Sequence, residues 1–148
     1  MASKSEEELR RLGVELRILE QTAEAIQSRI GMVNAVITDL TYAGMTLEGM
    51  EKERENSELL VPIGGSSYIK ARLENPDKLI VGMGAGVSVE KSLQEAKEVI
   101  KKCLENLDKT RSSLQQQFAQ VAERIGEDRE KFEKLVAELR GETAPRNV

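Results

Sequence analysis

The stretch VGMGAGVSVEKS, residues 81–92, places glycine at positions 82, 84 and 86. Glycines so spaced can bring backbone N–H groups against a phosphate. A dinucleotide-binding fingerprint, however, reads G-x-G-x-x-G between a strand and the start of a helix. Here the sixth position is Val87, and the VSVEK that begins there alternates like another strand. A P-loop needs Gly-Lys-Ser/Thr opening a helix, and no such run occurs. Gly84 and Gly86 therefore read as turn residues that reach positive φ. The chain contains no His, which removes the commonest general base and metal ligand. Ser-His-Asp and Cys-His catalysis are excluded with it. Cys103 falls on an apolar stripe and reads as a small buried residue rather than a reactive thiol. Asp and Glu lie mostly on helix faces or in linkers and read as solvated surface. No catalytic residue, cofactor-binding set or metal site is expected, so the chain works through its surfaces.

The elements that carry those surfaces follow from composition and periodicity. The chain is long enough for one domain at 148 residues, yet only 3% are aromatic while 32% are charged. Apolar content drawn from Leu, Ile, Val and Ala suits long helices burying narrow stripes. A net charge of −4 with no basic patch argues against nucleic acid as a partner. No run approaches the roughly 18 apolar residues of a membrane span, and MASKSEEEL is polar and acidic, unlike a signal peptide. The single Cys cannot form an internal disulfide, which fits a reducing, cytoplasmic setting.

Leu9, Leu12, Leu16, Leu19, Ala23, Ile26, Ile30, Val33, Ile37 and Leu40 recur at alternating spacings of three and four, the seam of a coiled coil. Ser5 and Glu8 suggest a capping box at its start. The first helix is expected over about residues 6–47, on the order of 60 Å long. A second stripe runs through Leu93, Ala96, Ile100, Cys103, Leu107 and Leu114, opened by a capping box at Ser92 and Glu95. It resumes after a stutter at Phe118 through Val121, Ile125, Phe132, Leu135 and Leu139. This helix is expected over about 93–140, with Gly141 as its stop and a frayed tail over 141–148.

Between the helices, at about 48–91, a charged linker precedes LLVPI, SYIKARL, KLIVGM and VSVEK, short segments of strand character. GGSS (64–67), ENPD (74–77) and GAG (84–86) supply the turns. In SYIKARL, Ile69, Ala71 and Leu73 point one way while Tyr68, Lys70 and Arg72 point the other. Two hairpins of this size form no core of their own and need sheet from another chain. If the insert reverses the chain, the helices pack antiparallel, and the start of the first meets the end of the second. Val14 and Ile18 lie off the first stripe, and Val136 lies beside Leu135 and Leu139. They read either as ordinary scattered apolar surface or as a binding patch. Gly13 and Gly126 weaken the helices near that end.

LVPIGGSSYIKARL and DKLIVGMGAGVSVEKSLQEA, set between two such helices, resemble the alpha subunit of archaeal prefoldin. The second hairpin points to the alpha rather than the beta type. The resemblance implies an α+β chain, a long antiparallel two-helix coiled coil with two β-hairpins inserted, the hairpins joining in an oligomeric β-barrel platform. It further implies two alpha and four beta subunits, ATP-independent holding of non-native polypeptides, and transfer to a group II chaperonin, with no nucleic acid or membrane involved. Assembly candidates are Leu60, Ile63, Tyr68, Ile69, Leu79, Val81, Val87 and Val89. Periodicity alone marks the client-binding candidates: Leu9, Leu12, Val14, Leu16, Ile18, Ile125, Phe132, Leu135, Val136 and Leu139. A coiled-coil scaffold or tether without client-holding activity is the rival reading, and a nucleotide-dependent enzyme is a second.

Overall fold

The structure, a computed structural model, describes residues 3–143. Its elements are α1 (Lys4–Met50), β1 (Glu58–Gly64), β2 (Ser67–Arg72), β3 (Leu79–Gly84), β4 (Val87–Lys91) and α2 (Leu93–Thr143). These form two compact units, one of residues up to 34 together with those from 109 onward, the other of residues 35–108.

In the first unit, stretches of α1 and α2 pack antiparallel. Ile26, Ile30 and Leu114 form its buried core, with Val33, Phe118 and Val121 packed against them. The three-and-four spacing turns these side chains to one stripe on each helix, so removing that stripe from water holds the pair together. Each such side chain contributes about 1.5–3 kcal/mol when fully buried. The N-terminal cap is Ser3 rather than Ser5. Its Oγ accepts from Glu6 N–H at 3.2 Å, and Glu6 Oε2 accepts from Ser3 N–H at 3.4 Å. The reciprocal pair satisfies two backbone donors and starts the helix earlier than its apolar stripe. α2 runs through Gly141 to Thr143, because glycine weakens a helix without ending it. The tail expected beyond it, from residue 144, lies outside the described residues.

The second unit carries the strands. β1 pairs antiparallel with β2, setting Val61 opposite Ile69 and Pro62 opposite Tyr68. β3 pairs antiparallel with β4, setting Val81 opposite Val89. The two hairpins are separate two-stranded sheets, so every strand keeps one unpaired edge. Each has a register shift just before its turn, at Pro62/Gly64 and at Gly82/Gly84. Gly84, Ala85 and Gly86 all have positive φ, at 93°, 53° and 76°. The glycines are turn residues, and the chain leaves them as a strand rather than a helix. The open space around Gly86 means that a side chain there meets only backbone strain. Gly86→Val is therefore expected to destabilise the hairpin by about 1–2 kcal/mol, measured as a lower denaturation midpoint of the assembled protein.

α2 opens with Ser92 Oγ accepting from Glu95 N–H at 3.2 Å, and Asp77 Oδ1 accepting from Leu93 N–H at 3.1 Å. The second contact ties the connection after β2 to the helix and satisfies another of its free donors. Leu47 and Ala96 are buried here. Leu40, Ala43, Leu79, Val81, Ile100 and Cys103 are among the residues lining a hollow of about 420 Å³. Cys103 is exposed, not buried as its place on the stripe suggested. It is one of the residues lining that hollow, whose unfilled volume leaves it in contact with solvent.

Candidate interaction surfaces

Two groups of apolar side chains remain uncovered, and they differ in cause. The first is on the hairpins. Of the assembly candidates, Leu60, Ile63, Tyr68, Ile69, Val87 and Val89 are exposed. Leu79 and Val81 are half-buried against the hollow of their own unit. Their strand neighbour Ile80 is 82% exposed, and Val61 and Met83 are also exposed. Sequence reasoning passed over these three. Period-2 alternation sorts a strand into two faces, but both faces of β3 are apolar, so the pattern does not say which one the chain itself covers.

A cluster of nine exposed large apolar residues on two small sheets exceeds what a soluble surface ordinarily scatters. With strand edges open beside them, they can take up backbone hydrogen bonds and apolar contact from another strand together.

The second group is on the helix pair. Val14 is 53% and Ile18 57% exposed. Two residues on from the buried Leu12, Val14 is turned about 200° from it around the helix, which is why no seam can cover both. Ile18 bears the same relation to the half-buried Leu16. The remaining candidates are less open. Leu9, Leu16, Ile125, Phe132, Leu135, Val136 and Leu139 are half-buried, and Leu12 is buried. α2 thus brings its apolar residues to the pairing face, while among the described helix residues the exposed large apolar ones lie on α1, with Met32, Val36, Tyr42 and Met45 further along it.

Charged side chains bridge the helices beside this seam. Arg124 donates to Glu15 at 2.8 Å and Arg129 to Glu20 at 2.8 Å. Partners five residues apart point about 140° apart around a helix, so the two bridges lie on different flanks of the seam. The Glu15 carboxylate, hydrogen-bonded to it, holds the Arg124 guanidinium above its ordinary pKa, and Asp128 adds to the effect. As exposed pairs they fix the pairing more than they stabilise it. Next to them lies a cleft of about 520 Å³, lined by Ala23, Phe118, Ala122, Ile125 and Gly126 with Glu20, Glu24 and Arg129 at its charged edge. A second, of about 540 Å³, is lined by Phe132, Glu133, Val136, Ala137 and Arg140. Nothing lies within 4 Å of where a Cβ at Gly126 would stand. Gly126→Ala is therefore expected to stabilise α2 by about 1 kcal/mol, seen as a higher melting temperature with unchanged assembly.

Among the described residues, no cluster of three or more His, Cys, Asp or Glu is placed to hold a metal ion, and no helix is long and apolar enough to cross a membrane.

The sequence matches the Prefoldin family, described as prefoldin subunit, over residues 19–138. It is 34% identical over 133 residues to the prefoldin subunit alpha of Methanococcoides burtonii, covering 85% of this chain and 96% of that one. Against the prefoldin subunit alpha of Pyrococcus horikoshii it is 31% identical over 126 residues, covering 84% and 85%. The cryo-EM structure of filamentous PFD from Methanocaldococcus jannaschii is similar with a TM-score of 0.65 and 28% identity, over 83% of this chain and 96% of that one.

Proposed function

Because this chain belongs to the prefoldin family, we propose that it is an alpha-type subunit of an ATP-independent chaperone that holds non-native polypeptides. In this reading the hairpins of two such chains join those of four beta-type subunits in a β-barrel platform, and the helix pairs are the arms. Clients are held at the arm ends and passed to a group II chaperonin in the cytoplasm. The observation that carries the reading is the coincidence of open strand edges with exposed Ile63, Ile69, Ile80 and Val89 on the same two hairpins. Such edges are left open in a chain that completes its sheet with another. Exposed Val14 and Ile18 on α1 give the holding surface. Non-native chains share no sequence but all expose apolar segments, and apolar contact requires no directional match.

The test has two parts. The mass of the chain is measured alone and with a beta-type subunit, and the resulting complex is asked to suppress aggregation of a denatured protein without nucleotide. A hexamer mass with suppression supports the reading. A hexamer without suppression favours a scaffold or tether, and saturable nucleotide binding favours the enzyme.

A further inference from the structure

The most deeply buried side chain among the described residues is a carboxylate. Asp128 is 0% exposed, in a helix pair whose core is otherwise aliphatic and aromatic. It falls three residues after Ile125 and four before Phe132, so the heptad places it on the seam itself. Neither of its oxygens has a hydrogen-bond partner among the described residues. Arg124 Nε lies 3.4 Å from Oδ1, a charge contact without hydrogen-bond geometry, while Nη2 of the same guanidinium pairs with Glu15 at 2.8 Å. A buried charge so weakly compensated opposes the closed state, because water would solvate it fully as soon as the helices part. Its surroundings resist parting little. Gly126 adds no side chain, Gly13 faces only the Phe132 ring at 3.8 Å, and a cleft lined by Ile125 and another lined by Phe132 adjoin its stretch of α2.

We propose that Asp128 is a built-in weak point of the helix pair, at which the two helices part locally and uncover Ile125 and Phe132 for a client. The opening itself stands on the structure alone, and its use for clients rests on the chaperone reading above. Closed, the pair presents Val14 and Ile18 near the start of α1. Opened at Asp128, it adds the half-buried apolar residues on either side, so the holding surface grows when a client competes for it.

The experiment compares the full chain, assembled with its beta-type partner, with the Asp128→Leu and Asp128→Asn variants. Backbone amide exchange reads local opening, and aggregation of a denatured protein reads holding. Replacing a poorly compensated buried charge by an apolar side chain stabilises the closed form, so Asp128→Leu is expected to slow exchange of amides over 121–135 about ten-fold or more. Asp128→Asn, which loses the charge but keeps a polar group, slows it less. Amides of the four strands are unchanged in both. Asp128→Leu is also expected to protect the client several-fold less well at unchanged complex mass. Exchange over 121–135 that is equal or faster in Asp128→Leu overturns the weak point. Slower exchange with full client protection overturns its use for clients. If the parent complex protects no client, the chaperone reading falls, and the exchange result alone decides the opening.

Discussion

Deleting residues 1–18 and 132–148 together is expected to abolish protection of a denatured client while leaving the subunit stoichiometry of the assembled complex unchanged. The deletion removes Val14 and Ile18, the exposed apolar residues at that end of α1, together with Phe132, Leu135, Val136 and Leu139. It spares the core of that unit, Ile26, Ile30 and Leu114 with Val33, Phe118 and Val121, so the shortened helices keep a stripe to pair on. It also spares every residue of the hairpins. A single apolar side chain contributes only about 1.5–3 kcal/mol when buried, so one helix pair holds a client weakly. Several pairs engaging one client raise the effective concentration of each, which turns weak contacts into useful retention. Losing all of the ends at once therefore removes the avidity, and the expected effect is large. Light scattering of a denatured protein, with native mass measured in parallel, checks it. A truncated complex of parent stoichiometry that still protects fully would mean that clients are held elsewhere.

The other large effect is expected at the hairpins. Ile69 is 55% exposed and stands directly across β2–β1 from the exposed Val61. In the free chain, a substitution there has little to disturb. Ile69→Asp should leave helix content and the melting of the isolated chain nearly unchanged. In an assembled sheet the same carboxylate would be buried without a partner, at a cost of several kcal/mol per site. The mixed oligomer is therefore expected to fall apart into smaller species at concentrations where the parent is fully assembled. Circular dichroism and native mass together separate the two effects. An unchanged hexamer mass would show that this face of the hairpin is not the interface. Ile80→Asp probes the second hairpin in the same way, since Ile80 is the most exposed of its apolar residues.

The alternating stripes from Leu9 to Leu40 and from Leu93 to Leu139 determined two long helices, because three-and-four spacing puts apolar groups on one side of a helix and nowhere else. Short β-branched runs separated by GGSS, ENPD and GAG determined four strands and their turns, since the GGSS and GAG turns demand the positive φ found at Gly64, Gly65, Gly84 and Gly86. The missing His excluded His-dependent catalysis from the sequence alone.

Periodicity states which residues share a face, not what lies against that face. So β3 read correctly as a strand, while only the packing of its unit shows Leu79 and Val81 half-buried and Ile80 82% exposed. The same limit kept Cys103 on a stripe that leaves it exposed. Ser3 replaced Ser5 as the cap because a helix begins where side-chain and backbone donors close reciprocally, and several serines and glutamates near that end offered the choice.

Asp128 marks the sharpest division. Its heptad position was legible, three past Ile125, yet an acidic residue at one seam position is equally compatible with a bent or open helix pair that keeps it in water. Only the tertiary structure closes the pair over it at 0% exposure, with neither oxygen hydrogen-bonded among the described residues. Burial is a property of all the surrounding atoms together, and no local spacing along one chain encodes it.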